Sequence, residues 1–165
     1  MTATRWSPAY IGLGSNLQGP AGQVESAVEQ LRNITETKLC SRSSLYRSSP
    51  LGGIEQPDFV NAVAAVLTRL EPRGLLSELK SIERKRGRER KGQRWGPRVI
   101  DLDLLVFSGQ VLDEDGLRVP HPGIALRNFV LLPLREIAPE LVVPGLGRVA
   151  SIAINETEPA IERIA

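Results

Sequence analysis

In Arg98-Val-Ile-Asp101-Leu-Asp103-Leu-Leu-Val-Phe107, the part from Val99 to Phe107 is the most strand-like segment in the chain, and its reading decides the fold. Side chains alternate faces along a β-strand. Ile100, Leu102, Leu104 and Val106 are therefore expected on one face, and Asp101 and Asp103 on the other with Val99, Leu105 and Phe107. At roughly 3.3 Å of rise per residue the two aspartate Cα atoms stand about 6.6 Å apart. Two carboxylates on one face of a largely apolar strand repel each other and lose hydration. A divalent cation relieves both penalties, and the spacing suits a pair of Mg²⁺ ions about 3.5–4 Å apart. An edge strand with a solvated acidic face fits the same pattern, so the strand alone leaves both readings open.

Just before this strand the charge is lopsided. Between Arg84 and Arg98 stand eight basic residues (Arg84, Lys85, Arg86, Arg88, Arg90, Lys91, Arg94, Arg98) and one acid, Glu89. The whole chain has 21 basic and 19 acidic residues, net +2, leaving 13 basic against 18 acidic elsewhere. Such concentration implies a local partner rich in negative charge, a polyphosphate or a nucleic acid. The loop from Arg88 to Pro97, with Gly87, Gly92 and Gly96 around it, brings arginines to the same end of the strand as the carboxylates. A magnesium-bound polyphosphate needs both kinds of group, and a loop of this composition would close over substrate and exclude water. A solvated charged loop is the plainer alternative.

Further out, Tyr10-Ile-Gly-Leu-Gly14 predicts a short strand, and Gly19-Pro20 opens a helix with Val24, Ala27, Val28, Leu31 and Ile34 on its apolar face. Lys38 to Ser49 and Phe59 to Leu70 predict two more strands, separated by a loop marked by Pro50-Leu-Gly-Gly53 and Gln56-Pro57. A second helix starts at Glu71-Pro72, buries Leu75, Leu76, Leu79 and Ile82, and stops near Gly87. With the segment 99–107 the order is β-α-β-β-α-β, that of a ferredoxin-like split unit within an α/β (α+β) fold. Gly109 to Val119 predicts a hairpin turning at Asp115-Gly116, Leu126 to Ile137 a helix despite Pro133, and the tail one last short helix. A single domain over 1–165 is expected, with 1–8 an N-terminal extension and 145–165 a C-terminal tail.

Composition narrows the class. Hydrophobic residues at 41% and charged residues at 24% describe a globular rather than a disordered chain. No apolar run approaches the roughly 20 residues needed to cross a bilayer, and Met1 to Pro8 lacks the regions of a secretory signal. Cys40 is the only cysteine, which excludes an internal disulfide and a multi-cysteine zinc site. A cytoplasmic monomer with no membrane partner is the expectation.

The seven aromatic residues are Trp6, Tyr10, Tyr46, Phe59, Trp95, Phe107 and Phe129. Trp95 falls inside the charged loop, where no packing pattern demands it. Phe59 follows Pro57-Asp58, and Asn61 shares its face by the period of two. An aromatic beside an amide suits a flat heterocycle, stacked on its face and hydrogen-bonded at its edge, although on sequence alone Phe59 as ordinary core is the plainer reading. His121, the only histidine, lies in Val119-Pro-His-Pro122 and pairs with no recognisable nucleophile. A phosphate or nucleotide contact, or a turn-stabilising hydrogen bond, is preferred to general-base catalysis. Gly12-Leu-Gly-Ser-Asn16 fails the dinucleotide fingerprint because Leu17 stands where its third glycine belongs, and no Walker-type Gly-Lys-Ser/Thr follows.

The run Arg94-Trp-Gly-Pro-Arg98-Val-Ile-Asp101-Leu-Asp103-Leu-Leu resembles the signature of the 6-hydroxymethyl-7,8-dihydropterin pyrophosphokinase family. Further likeness lies in Tyr10-Ile-Gly-Leu-Gly-Ser-Asn-Leu17, Ser44-Leu-Tyr-Arg47, Pro50-Leu-Gly52, Gln56-Pro-Asp-Phe-Val-Asn61, and Val119-Pro-His-Pro122 with Arg127, Phe129 and Pro133-Leu134. The resemblance implies a three-layer α/β/α fold. It also implies transfer of the pyrophosphoryl group of ATP to the pterin hydroxymethyl group, giving pterin diphosphate and AMP in folate biosynthesis. By the same resemblance Asp101 and Asp103 hold two Mg²⁺ ions. Phe59 and Phe129 sandwich the pterin, Asn61 reads its edge, and Leu51, Ser48 and Ser49 line the pocket. Arg88 and Arg98 meet the phosphates as catalytic groups. Lys80, Glu83, Arg90, Leu104, Arg118, His121 and Arg127 surround the nucleotide or the closed loop, and Trp95 serves both substrates. Phe59 stands where many members have tyrosine, Gly116 and Arg118 where some have arginine and threonine, and Pro122 where some have tyrosine.

Two other classes share parts of this pattern. An RNA-recognition module has the same element order, but two aspartates on its fourth strand would repel RNA, so no nucleic-acid partner is expected. A metal-dependent nucleotidyltransferase or nuclease also needs paired carboxylates, yet gives no reason for Phe59, Asn61 and Phe129.

Overall fold

The computed structural model describes residues 2–87, 99–155 and 157–165, with backbone only for 2–4. Strand β1 (Thr2–Ser15) leads to helix α1 (Pro20–Leu31) through Gly19, whose φ of 75° suits a residue without a Cβ. Then follow β2 (Thr37–Arg42), β3 (Tyr46–Ser48), β4 (Phe59–Leu70), helix α2 (Pro72–Lys85), and β5 (Asp101–Phe107). A hairpin of β6 (Leu112–Glu114) and β7 (Leu117–Val119) precedes helix α3 (Asn128–Ile137). The tail holds β8 (Val142–Val143), β9 (Gly147–Arg148), a 3₁₀ turn at Val149–Ser151, and β10 (Ile161–Arg163).

The main sheet runs β10-β3-β4-β1-β5 with antiparallel neighbours, and β2 also pairs with β4. With β2 and β3 taken as one interrupted strand, this is the expected ferredoxin-like order. Its two faces carry two apolar clusters. Ala9, Ile11 and Leu13 of β1, Ala62 and Ala64 of β4, and Leu102 and Leu104 of β5 pack with Val28 and Leu31 of α1 and Leu75 and Leu79 of α2. On the opposite face Val63, Leu105 and Val106 pack with Val130, Leu131 and Leu134 of α3. The result is three layers, helices on both sides of one sheet. Among the described residues no helix is long and apolar enough to cross a membrane.

Four local expectations are corrected. The segment expected as one strand from Lys38 to Ser49 breaks at Ser43. The Ser43 N–H donates to Val63 O at 2.8 Å and its Oγ accepts from Val63 N–H at 2.9 Å, so a side chain replaces part of the ladder. The first strand is far longer than Tyr10 to Gly14 and reaches back into the supposed extension, Thr2 pairing with Leu70. Trp6 lies beneath the Lys38 ammonium, 4.6 Å from the ring centroid. The tail ends in an edge strand rather than a helix, because Ile161 to Arg163 find free backbone on β3.

The fourth correction concerns β5 itself. Ile11 pairs with Leu104 but Tyr10 pairs with Val106, so Leu105 is an extra residue, a β-bulge. Strict alternation therefore fails after Leu105. Val106 joins the α3 side and Phe107 the α1–α2 side, the reverse of the expected assignment. A similar shift in β2 places Cys40 between the pairs Leu39 with Val66 and Ser41 with Ala65.

Candidate active site

Alternation does hold from Asp101 to Leu105, and both aspartates lie on the α3 face, half-buried. Register sets their surroundings. Tyr46, Asn61, Gly14 and Asp101 form one row across β3, β4, β1 and β5, and Val63, Gly12 and Asp103 form another. A Cβ at Gly14 would lie 3.3 Å from Asn61 Oδ1, so the glycine keeps a trough open between the amide and the carboxylate. Gly12-x-Gly14 on β1 thus faces Asp101-x-Asp103 on β5 with the same spacing of two. That match is the signal that gives these glycines a purpose, and it is invisible to a search for phosphate-loop motifs.

Over the trough lies a cleft of ≈ 190 Å³. One wall is Ser48, Ser49, Leu51, Phe59 and Asn61; the other is Arg127, Phe129 and Val130 at the start of α3; Gly12, Gly14, Asp101 and Asp103 complete it. Asn61 is buried, and its Nδ2 donates to Ser48 Oγ at 2.8 Å and to Tyr46 O at 3.4 Å. Its Oδ1 faces the trough. The loop before Phe59 is pinned by Asn16, whose Nδ2 donates to Gln56 Oε1 and to Pro57 O, both at 2.9 Å. Asn16 was not among the expected site residues, because nothing in its local sequence reveals a partner 40 positions away.

Beyond the outer edge of β5 a second cleft of ≈ 350 Å³ is lined by Leu76, Lys80, Leu102, Asp103, Leu104, the β6–β7 hairpin including Arg118, and His121 with Pro122. Asp103 lines both clefts. The bulge at Leu105 helps build the second, since the Leu105 carbonyl accepts the His121 N–H at 2.8 Å. His121 Nδ1 accepts from Gly123 N–H at 2.9 Å, which fixes the proton of the neutral ring on Nε2. Burial lowers the His121 pKa, against an opposing pull from Asp103 and with help from Arg127, Arg118 and Lys80.

Glu83, which the resemblance puts around the nucleotide or the closed loop, is 2% exposed and is not among the residues lining either cleft. Its Oε2 accepts the Leu102 N–H at 2.7 Å, between the two aspartates, while Lys80 lies 3.3 Å from its Oε1. It fastens α2 to the outer edge of β5. Arg127, expected around the nucleotide or the closed loop, lines the aromatic cleft and lies across Gly123, where a Cβ would meet its Nε at 2.9 Å. Arg86, from the basic run, bonds to Gln23, Ser26 and Gln30 of α1. Arg88, Arg90, Trp95 and Arg98 fall outside the described residues.

At the far end of α3, Glu136 accepts from Ser44 N–H (3.0 and 3.1 Å), Ser44 Oγ (3.0 Å) and Tyr46 Oη (2.7 Å). Burial raises the Glu136 pKa, but these bonds and nearby Arg163 outweigh it, and the net shift is downward. Burial and the bond to Glu136 push Tyr46 up to about 12.

The donor set of the site suits a hard divalent cation carried by phosphates. Among the described residues no three His, Cys, Asp or Glu cluster together, so the protein offers two carboxylates beside an open trough. Mg²⁺ is bound in this way, by one or two carboxylates with the other positions left to phosphate and water.

Comparison with known proteins places these features. Residues 10–139 match the family model for 7,8-dihydro-6-hydroxymethylpterin-pyrophosphokinase (HPPK). The 2-amino-4-hydroxy-6-hydroxymethyldihydropteridine pyrophosphokinase of Haemophilus influenzae is 46% identical over 136 residues, covering 82% of this chain and 84% of that protein. The enzyme of the same name from Methylorubrum extorquens is 43% identical over 157 residues, 94% of this chain and 98% of the relative. In three dimensions the chain resembles Plasmodium falciparum HPPK-DHPS wild type with pterin and p-hydroxybenzoate, with a TM-score of 0.76 at 18% identity over 98% of this chain. This chain spans 46% of the length of that protein, and likeness at such identity concerns the fold alone.

Proposed function

Since the chain belongs to the 7,8-dihydro-6-hydroxymethylpterin-pyrophosphokinase family, we propose that its two clefts hold the two substrates of one transfer and meet at Asp103. The protein transfers the pyrophosphoryl group of ATP to the hydroxymethyl group of 6-hydroxymethyl-7,8-dihydropterin, in folate biosynthesis. The aromatic cleft takes the pterin. Phe59 and Phe129 stack on its faces, the Asn61 amide bonds its edge, and Ser48, Ser49 and Leu51 line the wall. The second cleft takes ATP, with Lys80, Arg118 and the His121 Nε2–H as cationic or donor groups for phosphate oxygens.

Asp101 and Asp103 are the Mg²⁺ ligands in this reading, and two ions are assigned to them. Bound there, Mg²⁺ offsets the negative charge of the phosphoryl oxygens. In the transfer the pterin hydroxymethyl oxygen forms a bond to the β-phosphorus of ATP. The bond from that phosphorus to the bridging α,β-oxygen breaks, AMP departs with the electron pair, and the hydroxyl proton is released. The chain's part is placement: the stacked ring presents its hydroxymethyl group towards the edge of β5, where the second cleft presents the polyphosphate. Arg88 and Arg98 are assigned to phosphate contacts.

The observation that carries this reading is the position of Asp103, on the wall shared by the cleft that holds Phe59, Asn61 and Phe129 and the cleft that holds Lys80, Arg118 and His121. Product analysis tests it. AMP and a pterin diphosphate are expected from Mg²⁺, ATP and the pterin. ADP with a pterin monophosphate would overturn it.

A further inference from the structure

The tail of the chain lies beyond the family match, which ends at residue 139, yet it is bonded to both walls of the aromatic cleft. On one wall β10 covers the outer edge of the three-residue strand β3, pairing Ile161 with Ser48 and Arg163 with Tyr46. The Ser49 N–H donates to Ala160 O at 3.0 Å, and Leu45 exchanges bonds with Ala165 and Ile164 at 3.0 and 2.9 Å. On the other wall Asn128, 4% exposed, stands between the cleft residues Arg127 and Phe129. Its Nδ2 donates to Asn155 O at 2.6 Å and to Pro159 O at 2.8 Å. Only the nitrogen end of an amide can face two carbonyl oxygens, so this side chain has one orientation.

We propose that the C-terminal tail, through Asn128 and β10, sets the gap between the two walls of the pterin cleft, and that Asn128 is a positioning residue for pterin recognition. The inference rests on the assignment of that cleft to the pterin. Without its outer partner β3 would be an unsupported edge three residues long, and short lone strands hold their place weakly. Ser48 on β3 orients the Asn61 amide through the 2.8 Å bond, so a shift of β3 moves the group that reads the ring edge. Asn128 fixes the first turn of α3, and with it the backbone of Phe129. A single segment therefore braces the amide wall and the stacking wall against each other. A displacement near 1 Å in either wall weakens stacking and misaligns the edge bonds. The second cleft is built from α2, β5, β6, β7 and the turn at His121, away from these contacts.

The test is the Asn128→Ala variant, which leaves the Asn155 carbonyl and the buried Pro159 carbonyl without this donor. Calorimetry would measure binding of 6-hydroxymethyl-7,8-dihydropterin in the presence of Mg²⁺ and a non-hydrolysable ATP analogue, and binding of the analogue alone. Expected is a loss of about tenfold in pterin affinity, with analogue affinity changed less than twofold. In steady state the pterin KM should rise by a similar factor, with kcat at saturating pterin within about twofold. Equal losses for both ligands, or unchanged pterin affinity in the folded variant, would overturn the proposal. If Asn128→Ala does not fold, Asn128→Ser keeps one donor and decides the matter, with a loss of about threefold expected for the pterin only. Wild-type protein that binds the analogue but no pterin would instead overturn the assignment of the cleft, and this inference with it.

Discussion

The two clefts that meet at Asp103 are made by different means. The aromatic cleft is assembled from rows of a sheet, where ladder register dictates which of Tyr46, Asn61, Gly14 and Asp101 stand side by side. The second is assembled from one face of α2, a hairpin with three-residue strands, and a turn held to a bulge carbonyl. A flat ring is recognised by contacts that weaken within a fraction of an ångström, whereas phosphate is recognised by charge, whose pull declines slowly with distance. Register supplies the first kind of accuracy. In the proposed assignment, short elements bearing Lys80, Arg118 and His121 suffice for the second.

This contrast is open to direct attack. Asp103→Ala removes the group common to both clefts, and turnover should fall by about 10³-fold or more while circular dichroism shows an intact fold. Near-normal turnover would sink the metal assignment. Phe129→Ala strips one stacking face and should raise the pterin KM by about 10–100-fold, with the ATP KM moved less than twofold. A matching rise for ATP would erase the division between the clefts. Gly14→Val fills the trough beside Asn61 Oδ1, and pterin affinity should drop about tenfold by titration with little change in melting temperature, since valine suits a strand.

The smallest effect lies at the far end of α3. Glu136→Gln should lower unfolding free energy at neutral pH by on the order of 1 kcal/mol, measured by urea titration. The Glu136 pKa is lowered in the folded protein, so its contribution is present above the unfolded-state value near 4.5 and is lost as pH falls through the folded-state value. The gap between wild type and variant should therefore close in acid. A gap independent of pH would show that the carboxylate charge is irrelevant to this fastening.

Much of the aromatic cleft was legible because strands write their geometry into sequence. Asp101 and Asp103 share a face for the same reason that Phe59 and Asn61 do. The bulge at Leu105 was not legible, as nothing distinguishes Leu105 from Leu104 until β1 is laid beside them. The place of Glu83 was not legible either, since its carboxylate accepts the Leu102 N–H of β5, 19 positions further on. The tail strand was missed because Ile161 to Arg163 is too short for a pattern, and its partner is more than a hundred residues earlier. Pairing at such separation leaves no local trace.

The bulge at Cys40 has a practical corollary. The chain's sole thiol projects into solvent from β2, opposite residues 65 and 66 of β4, whereas the wall of the aromatic cleft belongs to residues 59 and 61. A maleimide dye would therefore attach at one place, roughly 15 Å along the sheet from Asn61. Substrate arrival can be followed optically without first removing competing cysteines.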